Sequence, residues 1–237
     1  MSAATTATVA APLQPICGQN HEAVFVEIKI STLFERRVFR LAHLCLCQEY
    51  HPHASLIDML RLIESKDYLN MPWKNGGGST LEIVRFPQTE PFDWRISIAT
   101  VTASGPFSKF PGVDRTIVAL GGSPLSLRHQ APPGASTLSG VTPNKNLELF
   151  KPWSFEGEWD TDGILGGEAA RDFNFMVRRE FGTGQVRSFE FRSHEKPVLH
   201  TKAPLFWLYC AQGPVSVLVS GRSNPVQLEE DNTLEVN

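Results

Sequence analysis

Trp94-Arg95-Ile96-Ser97-Ile98-Ala99 is the stretch that decides the fold. Its large apolar residues, Trp94, Ile96 and Ile98, fall at every second position, with Arg95 and Ser97 between them. A period of two puts the first set on one side of an extended chain and the second on the other, so the stretch predicts a β-strand. Asp172-Phe173-Asn174-Phe175-Met176-Val177-Arg178 alternates in the same way, with Phe173, Phe175 and Val177 on one side and Asp172, Asn174 and Arg178 on the other. The runs at 116–120, 125–129, 186–191, 205–210 and 215–219 are short, rich in β-formers and bounded by Gly or Pro. The chain reads as all-β.

A weak internal repeat adds architecture. Thr116-Ile117-Val118-Ala119-Leu120-Gly121-Gly122-Ser123-Pro124-Leu125-Ser126-Leu127 runs through an apolar strand, a turn and an alternating strand. Leu205 to Leu218, with Gly213-Pro214 at its centre, runs through the same elements about 90 residues later. Two such copies suggest two similar β-sandwich or jelly-roll units.

The segment before these units reads differently. Residues 1–54 form an unassigned N-terminal extension, opening with a low-complexity Ala/Thr stretch at 1–11 that offers little to bury and is expected to be disordered. Residues 24–47 are apolar enough to fold locally but mix their periods. Leu56 to Asp67 carries good helix formers and predicts a short helical lead-in. Met59 stands just before the organised region, so translation starting there is an alternative. Intact-mass measurement of the native protein distinguishes the two starts.

Composition narrows the function classes. The 237 residues are 41% hydrophobic and 20% charged, with a net charge of −3. That balance supplies a substantial core and gives no sign of a general nucleic-acid or membrane-surface binder. The cysteines are Cys17, Cys45, Cys47 and Cys210, which is not a disulfide framework; a reducing compartment fits better. There is no charged n-region followed by a continuous apolar run, so the cytoplasm is the expected location.

Lys74-Asn75-Gly76-Gly77-Gly78-Ser79 is the most unusual composition in the chain. Consecutive glycines let a ligand approach the backbone, and their N–H groups can form an anion-binding nest beside Lys74. The order and spacing of a Walker loop are missing. A plain hairpin loop is the alternative. Arg95 and Ser97 share a strand face, and a buried Arg must pair with an acid or line a polar cavity. Asp114-Arg115 follows a turn rich in Gly, Pro and Phe, where a surface ion pair is the simpler reading.

MPWKNGGGSTLEI (71–83), FDWRISIA (92–99), GPFSKFPGVDRTIVAL (105–120) and RDFNFMVRR (171–179) resemble, in order and spacing, the signature blocks of the HutD/Ves family. The resemblance covers roughly residues 60–237. It implies a bicupin, two jelly-roll β-barrels from one chain, over residues 55–237, with a first half at about 70–160 and a second at about 161–237. It also implies a regulator of histidine utilisation, or a stress-response protein, that binds a small anionic metabolite such as formylglutamate. The ligand-binding positions it implies are Lys74, Asn75, Gly76, Gly77, Gly78, Arg95, Ser97, Asp114 and Arg115, with Asp172, Asn174 and Arg178 as a second group. The partner is then a small acid, with no nucleic acid or membrane and with a homodimer possible.

No cofactor and no metal are expected. A conventional cupin metal centre needs a His-x-His pair, and the barrel region has only His129, His194 and His200, which read as ordinary surface or half-buried histidines. Cys45, Cys47, His51 and His53 have ligand chemistry but spacings tighter than usual zinc motifs, and incidental clustering is the expectation. A metal-independent isomerase or hydrolase is the alternative function, with Glu82, Asp93 or Asp114 as its acid or base. A third reading makes Trp153, Phe155 and Trp159 a protein-contact surface, although core packing suits them better.

Overall fold

The computed structural model describes residues 11–15, 22–32, 60–130, 144–192, 198–199, 203, 205–220 and 222–236. Among them it has strands, one 3-10 turn at Ser65–Asp67 and no α-helix. The chain divides into two compact units, residues 66–186 and residues 1–65 with 187–237.

The middle unit contains β4 (Leu69–Pro72), β5 (Gly78–Phe86), β6 (Trp94–Val101), β7 (Gly105–Pro106), β8 (Val113–Gly122), β9 (Leu125–Gln130), β10 (Asn144–Asn146), β11 (Pro152–Glu156), β12 (Asp160–Leu165) and β13 (Ala170–Arg178). A six-stranded sheet runs β11-β8-β13-β6-β5-β4 and a four-stranded sheet runs β10-β9-β12-β7. They pack through Ile117 and Phe155 of the larger sheet against Leu127 of the smaller, with Trp159 beside them. Val101 and Ala170 meet Leu125 in the same way.

The other unit contains β1 (Ala11–Pro15), β2 (Glu22–Thr32), β3 (Leu60–Ile63), β15 (Val198–Leu199), β16 (Leu205–Gln212), β17 (Val215–Val217), β18 (Val226–Leu228) and β19 (Thr233–Val236). β14 (Gly182–Arg192) crosses the division in sequence. The sheets here run β14-β2-β16-β19-β3 and β15-β1-β17-β18. Phe25, Phe206 and Leu208 pack with Val215, Val217 and Leu228. β16 reads as a continuous apolar run because Phe206 to Cys210 are buried on both faces.

The internal repeat has a structural counterpart. β8 lies in a large sheet and β9, after a Ser123-Pro124 corner, in the small one; β16 and β17 do the same around Gly213-Pro214. In each unit one chain segment turns the corner between two layers. Three expectations differ from this architecture. Leu60–Ile63 is a strand, because pairing with β19 from Leu60↔Val236 to Thr233↔Ile63 outweighs its helix propensity; residues 56–59 lie outside the described residues. The N-terminal segment supplies β1 and β2, and β2 is an interior strand whose Val24 to Ile28 are buried. A boundary near 160 is replaced by one at 186, because β12 pairs with β9 and β13 lies between β6 and β8. The low-complexity stretch lies outside the described residues apart from Ala11.

Candidate functional site

Four strands of the middle unit carry a polar strip across the larger sheet. Arg95, Met176 and Arg115 stand in register across β6, β13 and β8, and the next row is Ser97, Asn174 and Ile117. Thr80 and Glu82 of β5 pair with Ala99 and Ser97. Opposing residues share a face, so these side chains converge on one side. The other side carries Trp94, Ile96, Ile98, Phe173, Phe175 and Val177, all buried.

The strip borders a cavity of about 460 Å³, walled also by Trp73, Phe107, Phe110 and Met71. Lys74, Asn75, Arg95, Ser97, Arg115 and Asn174 all line it. Lys74 is exposed at its edge, with no ion pair among the described residues.

Arg115 is buried, which is costly for a cation unless the surroundings compensate. Its Nη1 donates to the Ser108 carbonyl at 3.2 Å and its Nη2 to Asn174 Oδ1 at 3.1 Å. The guanidinium lies 5.0 Å from the Phe155 ring centroid and 5.5 Å from those of Phe107 and Phe110. Cation–π attraction of this kind strengthens when water is excluded. Burial pushes its pKa down to about 10, opposed by the Asp172 charge and assisted by Arg95, so it stays cationic at neutral pH. Its Nε has no hydrogen-bond partner among the described residues.

Behind Asn174 sits Asp172, with no exposed surface. Asn174 Nδ2 donates to Asp172 Oδ1, while Asp172 Oδ2 has no hydrogen-bond partner among the described residues. Burial pushes the Asp172 pKa up to about 7, against the Arg115 charge and the Asn174 hydrogen bond. The Asn174 amide therefore separates Arg115 from its nearest buried acid, and the acid is only partly ionised near neutral pH. The cation keeps an incompletely compensated charge.

Arg95 is held by Glu82, 2.9 Å from its Nε. Glu82 also lies 3.2 Å from Arg85 Nε. Residues three apart in a regular strand point to opposite faces; here a β-bulge between Glu82 and Val84 returns Arg85 to the same row as Arg95. Burial lowers the Arg95 pKa and Glu82 opposes this.

The glycine triplet builds the turn rather than a nest. Gly76 has φ +72°. Its N–H donates to the Trp73 carbonyl at 3.0 Å, and the Gly77 N–H to Asn75 Oδ1 at 3.0 Å. The Gly76 and Gly77 donors of the expected anion nest are thus used locally, and none of the three glycines lines the cavity. Gly78 has its own reason: a Cβ there would lie 2.2 Å from the Thr100 carbonyl oxygen and 3.1 Å from the Trp73 ring. Gly78→Ala is expected to lower unfolding free energy by about 1–3 kcal/mol, read by denaturant titration.

Two other positions lie away from the strip. Asp114 faces the opposite side of β8 and pairs with Arg179 at 2.8 Å. Arg178 donates to the Phe92 carbonyl at 3.2 Å and lies 3.5 Å from Glu180 and 3.7 Å from Asp93. Sequence reasoning missed Met176, although it continues the Asp172, Asn174 alternation and could have been read from it. Thr80, Phe107 and Phe110 had no such signal.

His129 is a buried residue, not a surface or half-buried one, with 2% exposure. Trp153 Nε1 donates to its Nε2 at 3.0 Å, which leaves the proton on Nδ1, 2.9 Å from Thr161 Oγ1. Protonation would set two donors against each other. Burial, reinforced by the Arg115 charge, pushes its pKa down to about 4. Phe155 and Trp159 are buried beside it and Trp153 is half-buried against them, so this cluster is core packing. His194, His200 and the Cys45, Cys47, His51, His53 group lie outside the described residues. Among the described residues no group of three or more His, Cys, Asp or Glu is arranged to hold a metal, and no helix is long and apolar enough to cross a membrane.

Two jelly-roll units from one all-β chain, one of them holding a cation-lined cavity, define a bicupin. The HutD family model matches residues 65–237, and the chain belongs to the HutD family. It is 34% identical over 168 residues to an uncharacterised 21.2 kDa protein from the hutC 3′ region of Pseudomonas putida, covering 70% of this chain and 81% of that one. It is 35% identical over 129 residues to protein Ves of Cronobacter sakazakii, covering 53% of this chain and 66% of Ves. Among solved structures it is similar to a conserved protein of unknown function from Pseudomonas aeruginosa PAO1, with 25% identity and a TM-score of 0.56, covering 75% of this chain and 85% of that one.

Proposed function

We propose that the protein binds a small organic acid in the middle-unit cavity and acts as a regulator of histidine utilisation rather than as an enzyme. The observation that carries the reading is Arg115: a buried guanidinium on the cavity wall whose nearest acid is held one amide away. Arg95 and Lys74 add positive charge on the same cavity. Guanidinium groups grip carboxylates through paired hydrogen bonds, and the interaction strengthens where water is excluded. A relative encoded beside hutC supports a ligand from histidine degradation, formylglutamate or a related acid.

Turnover is less well supported. A hydrolase or isomerase needs a carboxylate free to exchange protons at the cavity. Glu82 is engaged by Arg85 and Arg95, Asp93 lies beside Arg178, and Asp114 pairs with Arg179.

Thermal denaturation in formylglutamate, urocanate and glutamate tests the binding. A ligand that binds only the folded state adds about 2.7 kcal/mol at a hundred times its Kd. A saturable rise in Tm with at least one acid is expected. No rise with any of them at millimolar concentration would sink the proposal, and product appearing in an NMR time course would replace it with the enzymatic reading.

A further inference from the structure

A titratable group stands behind the wall of the anion cavity. Asp172 has no exposed surface and does not line the cavity, whereas Asn174 and Arg115 do. The Asn174 amide is oriented in one sense: its oxygen accepts from Arg115 Nη2 at 3.1 Å, and its Nδ2 donates to Asp172 Oδ1. Arg115 and Asp172 are therefore one charge pair with an amide between them. Asp172 Oδ2 is buried with no hydrogen-bond partner among the described residues. An ionised oxygen in that position is costly, and a proton on Oδ2 removes the charge while Oδ1 still accepts from Asn174.

The surroundings single out Asp172 as the group that responds to a bound anion. Its neighbours across the sheet are Ala99 of β6 and Ala119 of β8, with Thr80 of β5 beyond Ala99. The charges on the same face are Arg115 and the group of Arg95, Glu82 and Arg85, in which Glu82 is held between two guanidinium groups. Arg171, next to Asp172 in β13, is sent to the other face by strand alternation. From the smaller sheet, His129 of β9 is buried, and burial with the Arg115 charge pushes its pKa down to about 4, so it is neutral near neutral pH. Arg128 of β9 pairs with Asp162 of β12, Lys145 of β10 lies over the Trp153 ring, and Lys74 stands at the cavity edge.

We propose that an organic acid enters this cavity together with a proton, taken from solvent onto Asp172, so that the ligand is held more tightly as pH falls through neutrality. The inference rests on the acid-binding function proposed above. With the cavity empty, Arg115 offsets Asp172. A carboxylate drawn to Arg115 places two anions beside one buried cation, an arrangement that a water-poor site tolerates badly. One proton on Asp172 Oδ2 returns the set to one cation and one anion. Burial already pushes Asp172 up to about 7 against the Arg115 charge and the Asn174 hydrogen bond. A ligand carboxylate, being a like charge, pushes it further. Linkage is reciprocal: if the ligand tightens the hold on the proton, the proton tightens the hold on the ligand by the same factor. At low pH Asp172 is protonated with or without ligand, and the gain in affinity levels off.

Isothermal titration of the full chain with formylglutamate and with glutamate, whose carboxylates stay ionised from pH 6 to 8.5, reads both sides of this linkage. For an acid that binds, affinity at pH 6 is expected to exceed that at pH 8.5 about tenfold, within the usual range of coupling between sites. At pH 7.5 the heats in Tris and in HEPES, buffers of different ionisation enthalpy, are expected to differ by uptake of about half a proton per acid bound. That proton count is read on the parent and needs no variant. Asp172→Asn keeps an oxygen for the Asn174 amide to donate to. It is expected to bind at pH 8.5 about as tightly as the parent does at pH 6, and to lose the dependence on both pH and buffer. Equal affinity at the two pH values with buffer-independent heats would overturn the coupling and leave the binding function standing. A pH dependence retained in Asp172→Asn would also overturn it. Neither heat nor Tm response with either acid at any pH would remove the binding function, and the coupling with it.

Discussion

Arg115→Met is expected to abolish stabilisation by organic acids and, by leaving buried acceptors unsatisfied, to cost the folded protein about 1–3 kcal/mol near neutral pH. Methionine fills similar volume among Phe107, Phe110 and Phe155, so the apolar packing survives. What disappears is the charge beside Asp172 and the donors to Ser108 and Asn174. Asp172 is then left in a dry site without the cation that lowers its pKa. Its carboxyl responds by holding its proton to still higher pH, so the cost shrinks on acidification and grows on alkalinisation. Paired urea titrations at pH 5 and 8, with and without the stabilising acid, measure both parts. A variant that retained the ligand-induced Tm shift would remove Arg115 from the binding site. A variant as stable as the parent at both pH values would mean that Arg115 contributes nothing to the folded state.

The second large effect concerns pH, and two buried groups pull it in opposite directions. Asp172 has its folded pKa raised from 3.8 to about 7. Its contribution is fully present below pH 3.8 and is lost as pH rises towards 7, a swing of about 4 kcal/mol. His129 has its folded pKa lowered from 6.5 to about 4. Its contribution is fully present above pH 6.5 and is lost as pH falls towards 4, a swing of about 3 kcal/mol. Between pH 4 and 6.5 the two largely cancel. Asp172→Asn removes the first and should expose the second: stability falls by about 3 kcal/mol as pH drops from 6.5 to 4, where the parent changes far less. The substitution keeps an oxygen for the Asn174 amide to donate to, so the local geometry has a partner. An Asp172→Asn profile parallel to the parent's would show that Asp172 does not titrate in this window.

Legibility in the sequence followed the range of the interactions involved. The alternations in β6 and β13 were readable because side-chain direction in a strand has a period of two wherever the strand lies. The repeat was readable because each copy keeps its own turn chemistry. Leu60–Ile63 was not readable, since its helix propensity is local while its partner, β19, is more than 160 residues away. β2 was obscure for a related reason: an interior strand buried on both faces loses the alternation that marks a half-exposed one.

The site divides along the same line. Arg95 with Ser97, and Asp172 with Asn174, are set on common faces by strand alternation alone. That Arg95 and Arg115 belong to one row was decided by β13 passing between their strands. Asp114, next to Arg115 in sequence, was sent to the other face by the same alternation, and only the sheet's two environments gave that difference meaning. The triglycine turn was legible as a turn; that the Gly76 and Gly77 N–H groups are used within it required the bonds to Trp73 and Asn75.

By itself, then, the sequence determined the all-β class, the two-unit plan and the cationic side chains available, because strand period, turn residues and charge are local properties. Tertiary structure decided which cations share a cavity, that His129 is buried and neutral, and that Asn174 stands between Arg115 and Asp172. Those outcomes depend on strand order, register and exclusion of water, none of which is a property of a residue and its neighbours in the chain.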